Sequence, residues 1–130
     1  MIVDSSAILA ILLREPEADR LSAVLLDSVF PKISALNLLE LSMVSLSRRG
    51  PTGITDVDLT VLRFRMQVAP FTESQVLIAR EAFAKYGKGR HSAQLNFGDC
   101  IAYALAKETG EELLFKGTDF GQTDVAVASY

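Results

Sequence analysis

Short apolar runs alternate with amphipathic stretches along the chain, which predicts βαβ units around a mainly parallel sheet. Residues 1–3 form the first expected strand, ending at Asp4. Ser5 and Ser6 are placed to cap a helix to about Leu13. Pro16, a good first-turn residue, opens a second helix to about Leu26. Residues 31–34 are the second strand, and Ser34 caps a helix over Ala35–Arg49 that Gly50-Pro51-Thr52-Gly53 ends. Thr55 and Asp58 resemble a capping box and open a helix to about Met66. Residues 67–71 are the third strand, and Thr72 with Gln75 caps a helix closing near Tyr86-Gly87. A polar loop, residues 87–95, precedes a helix capped by Asn96 and stopped before Gly110. Residues 113–116 are the fourth strand, Gly117-Thr118 a turn, and residues 125–128 a short fifth strand.

The length of 130 residues predicts one domain over residues 1–130. A chain of this size buries roughly two-thirds of its unfolded surface, enough for a core without disulfides or structural metal. The single cysteine, Cys100, excludes an internal disulfide and a multi-cysteine zinc site. The apolar run at residues 7–13 is short, follows Asp4 and has no basic leader. No apolar run approaches the ~18 residues of a membrane span. The expectation is a soluble cytoplasmic protein with no membrane partner. A net charge of −3 argues against a basic nucleic-acid face. That argument weakens if several acids share one metal site, because bound divalent cations offset their charge.

Four acids fall where a parallel sheet builds sites, at strand carboxyl ends and the helix starts beside them. Asp4 ends the first strand. Asp119 follows the fourth strand and the Gly117-Thr118 turn. Asp99 lies in the first turn of the helix leading into that strand. Glu40 sits among Leu36, Leu39, Met43 and Val44, on or beside an apolar helix face. A carboxylate there needs a partner, and a metal in a cleft would supply one. Each acid alone has a plainer reading: Asp4 as a helix cap, Asp99 as a dipole partner, Asp119 as a turn residue, Glu40 as a side chain reaching water. The combination carries the argument. Such a carboxylate set suits Mg²⁺ or Mn²⁺, one or two ions, which activate water and stabilise an in-line phosphoryl transition state.

Other chemistries fit poorly. His91 is the only histidine, which excludes a two-histidine acid–base pair. Cys100 lies in an apolar helix with Ile101 and Ala104, as a small buried residue does. Gly87-Lys88-Gly89 lacks the spacing and strand context of a phosphate loop.

Four sequence blocks, in order, resemble the PIN-domain ribonucleases, specifically the VapC-type toxins of toxin–antitoxin pairs. The blocks are Met1-Ile2-Val3-Asp4-Ser5-Ser6-Ala7, Leu38-Leu39-Glu40-Leu41, Leu95-Asn96-Phe97-Gly98-Asp99-Cys100 after a Lys85–His91 stretch, and Leu114-Phe115-Lys116-Gly117-Thr118-Asp119-Phe120. The resemblance covers nearly the whole chain. It implies a three-layer α/β/α fold, Mg²⁺- or Mn²⁺-dependent RNA cleavage, a homodimer, and inhibition by a cognate VapB-type antitoxin. It makes Asp4, Glu40, Asp99 and Asp119 the metal-binding and catalytic acids. Ser6, Thr118 and Asp124 are expected around them. Thr118 stands where relatives often carry Asp or Asn, which fits a supporting hydrogen-bond donor.

Lys85, Lys88 and Arg90 precede Asp99 and are expected to contact RNA phosphates; Lys116 enters the acid cluster from the fourth strand, to meet a phosphate or an acid. Ile8, Leu9, Leu12, Leu21, Leu25 and Leu26, on the first two helices, are expected mostly in the core, with some lining a groove for an antitoxin helix. Two other readings compete with a toxin endoribonuclease. A non-catalytic RNA- or protein-binding module on the same fold is disfavoured by the four intact acids. A phosphoryl-accepting receiver domain is disfavoured because residues 67–71 offer no acceptor aspartate.

Overall fold

A computed structural model describes residues Met1–Tyr130. In chain order the elements are β1 (Ile2–Val3), α1 (Ser5–Leu12), α2 (Ala18–Asp27), β2 (Lys32–Ser34), α3 (Ala35–Arg49), α4 (Pro51–Arg63), β3 (Gln67–Ala69), α5 (Glu73–Tyr86), α6 (Phe97–Thr109) and β4 (Leu113–Leu114), then a 3₁₀ turn at Phe120–Gln122. The four strands pair in parallel in the order β3-β2-β1-β4. The segment expected as a fifth strand makes one parallel bridge, Leu113 to Val127.

Alternation along the strands sends neighbouring side chains to opposite faces. Ile2 and Leu113 pack with Tyr86, Cys100, Leu105 and other residues of α5 and α6. Val3, Ile33 and Leu114 pack with Ile8, Leu21, Leu41 and Val57 from α1 to α4. Helices therefore cover both faces of the sheet, which is the expected α/β/α arrangement. Ile8, Leu21 and Leu25 are core residues, so only Leu26 of the expected groove residues is well exposed.

Local signals explain most boundaries, with three corrections. The cap of α1 is Asp4, not Ser5 or Ser6: an Asp4 carboxylate oxygen accepts the Ser6 amide at 2.9 Å. Ser34 occupies the cap position of α3 but makes no capping bond, and its hydroxyl is buried. The fourth helix starts at Pro51, not Thr55. Gly50 adopts a left-handed φ of 65° that ends α3, and Pro51 then serves as a first-turn residue needing no amide donor. The Thr55 hydroxyl bonds back to the Pro51 carbonyl inside that helix.

The chain winds from β1 to β2 and β3 on one side, then crosses to β4 on the other. The order reverses between β1 and β4, where parallel sheets open a crevice at their carboxyl ends. Asp4 follows β1 directly. α3 starts where β2 ends. α6 leads into β4, so its N-terminus lies at the same end of the sheet.

Candidate active site

Asp4, Glu40 and Asp99 open onto one cleft of about 190 Å³, together with Ser5, Ser6, Leu9, Val44 and Asn96. Three separate elements supply the acids: the end of β1, the second turn of α3 and the first turn of α6.

Asp4 is 3% exposed. One carboxylate oxygen, Oδ2, caps α1, and the other, Oδ1, is buried with no hydrogen-bond partner. Burial pushes its pKa up, and the nearby Glu40 charge adds to that. Glu40 is held by Ser5, whose hydroxyl donates to it at 3.0 Å. Gly98 makes room for that carboxylate: a Cβ there would stand 2.6 Å and 2.7 Å from the two Glu40 oxygens. Asp99 and Asn96 form a reciprocal capping box at 2.8 and 2.9 Å. The box engages Oδ2 of Asp99. Burial is the first cause lifting the Asp99 pKa to about 6; the charges of Asp4, Asp119 and Glu40 contribute further.

Asp119 is exposed on the turn after β4 and does not line the cleft, though its charge reaches Asp99. Thr118 is exposed beside it. The Ser6 hydroxyl accepts the Lys116 amide at 3.0 Å, tying the start of α1 to the chain after β4. Asp124 lies elsewhere: it accepts from Tyr103 at 2.6 Å and Lys107 at 3.3 Å on the flank of α6. Lys116 does not enter the acid cluster either, because its ammonium pairs with Glu15 and Glu17 between α1 and α2. Lys85 lies over the Tyr86 ring and Arg90 over the Phe83 ring, while Lys88 is exposed on the following turn. Cys100 and His91 form no nucleophilic pair. Burial pushes the Cys100 thiol up to about 11, and His91 accepts the Ala93 amide while its ring packs on Tyr86.

Sequence reasoning missed Ser5, Asn37 and Gly98. Ser5 was legible only as a cap. Asn37 precedes Glu40 by one helical turn and is fully buried, and its side-chain amide donates to the Gly98 carbonyl at 3.0 Å. Its position on an apolar face, as for Glu40, was the available signal.

No three acidic, histidine or cysteine side chains form a ready-made ion cage. The donor set nevertheless fits a hard cation. It offers hard oxygen ligands, a buried Asp4 oxygen lacks any partner, and burial together with like charges lifts Asp99. A cation beside these groups would favour their charged forms.

Comparison with known proteins adds the family context. The PIN domain family model matches residues 1–126. A ribonuclease VapC of Mycolicibacterium smegmatis is 44% identical over 126 residues, covering 97% of this chain and 98% of that protein. Ribonuclease VapC30 of Mycobacterium tuberculosis is 40% identical over 129 residues, covering 99% and 98%. Among solved structures, Mycobacterium tuberculosis VapC20, a Sarcin-Ricin loop cleaving toxin, superposes with a TM-score of 0.78 at 16% identity, covering 99% of this chain and 98% of that one. VapBC2 from Rickettsia felis, bound to a promoter DNA fragment, gives 0.77 at 13% identity, covering 99% and 97%. These structural likenesses speak for the fold.

Proposed function

The chain belongs to the PIN-domain family, among its VapC ribonucleases, and from that premise we propose that it is a toxin endoribonuclease. It hydrolyses RNA phosphodiester bonds with Mg²⁺ or Mn²⁺, one or two ions, and a cognate VapB-type antitoxin neutralises it in the cytoplasm. One observation carries the reading: carboxylates from three elements face one cleft, and one of their oxygens is buried without a partner.

Asp4, Glu40 and Asp99 are the residues that would hold the ion. When bound, it supplies a water of lowered pKa and positive charge against the phosphoryl oxygens. The protein's part is to prepare the acids. The α1 cap fixes Asp4 and leaves Oδ1 for the cleft. Ser5 steadies Glu40, and the Asn96 amide holds one oxygen of Asp99 while the other stays available. Asp119, outside the cleft, acts as the fourth acid on the side of the turn, with Thr118 next to it. Ser6 holds that turn's approach to α1 through the Lys116 amide. Asp124 has no part in this set, since Tyr103 and Lys107 engage it.

For RNA phosphates, Lys88 is the best-supported cation because it is exposed and makes no ion pair. Lys85 and Arg90 flank it from ring-stacked positions, and Lys116 serves as a brace to Glu15. The homodimer is supported by an apolar face across α3, α5 and α6. There Phe97, 76% exposed, itself lines a hollow of about 660 Å³ together with Phe71, Val76, Ala79 and Phe83. An exposed aromatic on the wall of an apolar hollow suits an isologous contact between two copies. The antitoxin is supported by VapBC assemblies among the fold neighbours.

The test is cleavage of a mixed RNA pool with Mn²⁺ or Mg²⁺ by the wild type, Asp4→Asn and Asp99→Asn. Asn keeps a side-chain oxygen that accepts the same amide, Ser6 at the α1 cap and Asn96 at the start of α6, so both variants keep their local folds. The expected result is cleavage abolished by EDTA and lowered at least ~100-fold in each variant, on the order of the effect of losing a transition-state electrostatic partner. Cleavage surviving EDTA or both substitutions would overturn the metal mechanism. RNA binding without cleavage would instead identify a non-catalytic module.

A further inference from the structure

Asn37 is fully buried on α3, yet only half of its amide is satisfied: Nδ2 donates to the Gly98 carbonyl at 3.0 Å, while Oδ1 has no partner. A leucine of similar volume would fill this site without burying an unpaired oxygen. What the amide provides, and leucine does not, is a directional bond from α3 to the first turn of α6.

That bond lies at a sensitive point. Asn37 and Glu40 are three residues apart, so they share a face of α3. Gly98 takes the Asn37 bond through its carbonyl, and its bare Cα lies against the Glu40 carboxylate, where a Cβ would meet both oxygens within 2.7 Å. Asp99 is the next residue. One glycine thus receives both the clamp and the acid from α3, and the following residue carries the acid of α6. A small slide between the helices would move Glu40 relative to Asp99.

We propose that Asn37 is a positioning residue: its clamp on the Gly98 carbonyl sets the α3–α6 register that brings Glu40 and Asp99 to one cleft. Asn37 does not face the cleft and acts through Glu40. The proposal rests on the reading of these acids as a metal-dependent nuclease site.

The experiment compares Asn37→Leu with wild type in the full chain, alone and combined with Glu40→Gln. Three readouts are taken: cleavage kinetics, Mn²⁺ affinity of the RNA-free protein by titration calorimetry, and amide NMR of the metal-free protein. The expected result is kcat down about tenfold with KM for RNA within twofold, in line with loss of a contact expressed in the transition state. Mn²⁺ affinity falls several-fold, melting temperature is unchanged or higher, and Asn37→Leu adds nothing further in the Glu40→Gln background. Wild-type kcat and Mn²⁺ affinity in Asn37→Leu, or full additivity with Glu40→Gln, overturns the proposal. If Asn37→Leu does not fold, Asn37→Ser is measured in its place. If the wild type neither binds Mn²⁺ nor cleaves RNA, the nuclease reading fails separately. The clamp is then judged by NMR alone, where unchanged shifts and exchange at Gly98 and Asp99 reject it.

Discussion

Asp99 serves both as half of a capping box and as one wall of an acidic cleft. The cap bond favours its charged form, but burial outweighs it, and neighbouring acids add to the cost; the result is a pKa near 6. A carboxyl raised in the folded state binds its proton more readily folded than unfolded. Its contribution to stability is therefore greatest at acid pH and falls as pH rises from its ordinary 3.8 towards 6. Asp4, also raised mainly by burial, adds a slope of the same sign. Asp99→Asn keeps the cap acceptor and removes the charge. In thermal denaturation of metal-free protein, it is expected to melt higher than wild type at pH 7 and level with it near pH 4. A lower melting temperature at pH 7 would show that the cleft does not strain this acid. The place of Asp99 in the first turn of α6 was legible because it is local, Asn96 lying three residues before it; its reciprocal bond to the Asn96 amide was not, since the sequence offered it only as a partner for the helix dipole. The partners of Lys116 and Asp124 were not, because Glu15 and Tyr103 are remote in sequence and meet them only through tertiary packing.

At the scale of elements, α6 carries the most. It is buried along most of its length, it opens with Asn96 and Asp99, and it closes at Gly110 in a left-handed conformation with φ 68°. A capping asparagine and a terminal glycine are strong sequence punctuation, so this helix was read nearly to the residue. The start of α4 was misread because the Thr55-Asp58 pattern mimics a box, whereas Gly50 and Pro51 already end one helix and begin the next. Where helices meet was harder to read. The Asn37–Gly98 contact joins segments far apart in the chain, and no periodicity reports it. Asn96→Ala breaks the box from one side and is expected to cost about 1 kcal/mol, a fall of about 3 °C in melting temperature for a chain of this size. Asn96→Ser should recover most of it. Equal melting of Asn96→Ala and wild type would mean that the box adds nothing to α6.

For the whole molecule, the parallel sheet explains why acids distant in sequence meet. Each strand delivers its carboxyl end to one edge, and the reversal between β1 and β4 leaves a crevice there. On α3, α5 and α6 the exposed apolar side chains Leu39, Met43, Val76, Phe83 and Phe97 lie along two adjoining hollows that share Phe97. Phe97→Asp should therefore turn a dimer into a monomer in light scattering without unfolding it, and a dimer that survives the change would place the contact elsewhere. In the proposed nuclease, Asp4, Glu40 and Asp99 jointly hold a divalent ion. Anomalous diffraction from crystals soaked in Mn²⁺, measured at the manganese absorption edge, decides whether they do. An anomalous peak is expected in the cleft within ligand distance of these three carboxylates, absent in Asp99→Asn. A peak elsewhere, or none in crystals of protein that cleaves RNA, would show that the three acids do not form the metal site.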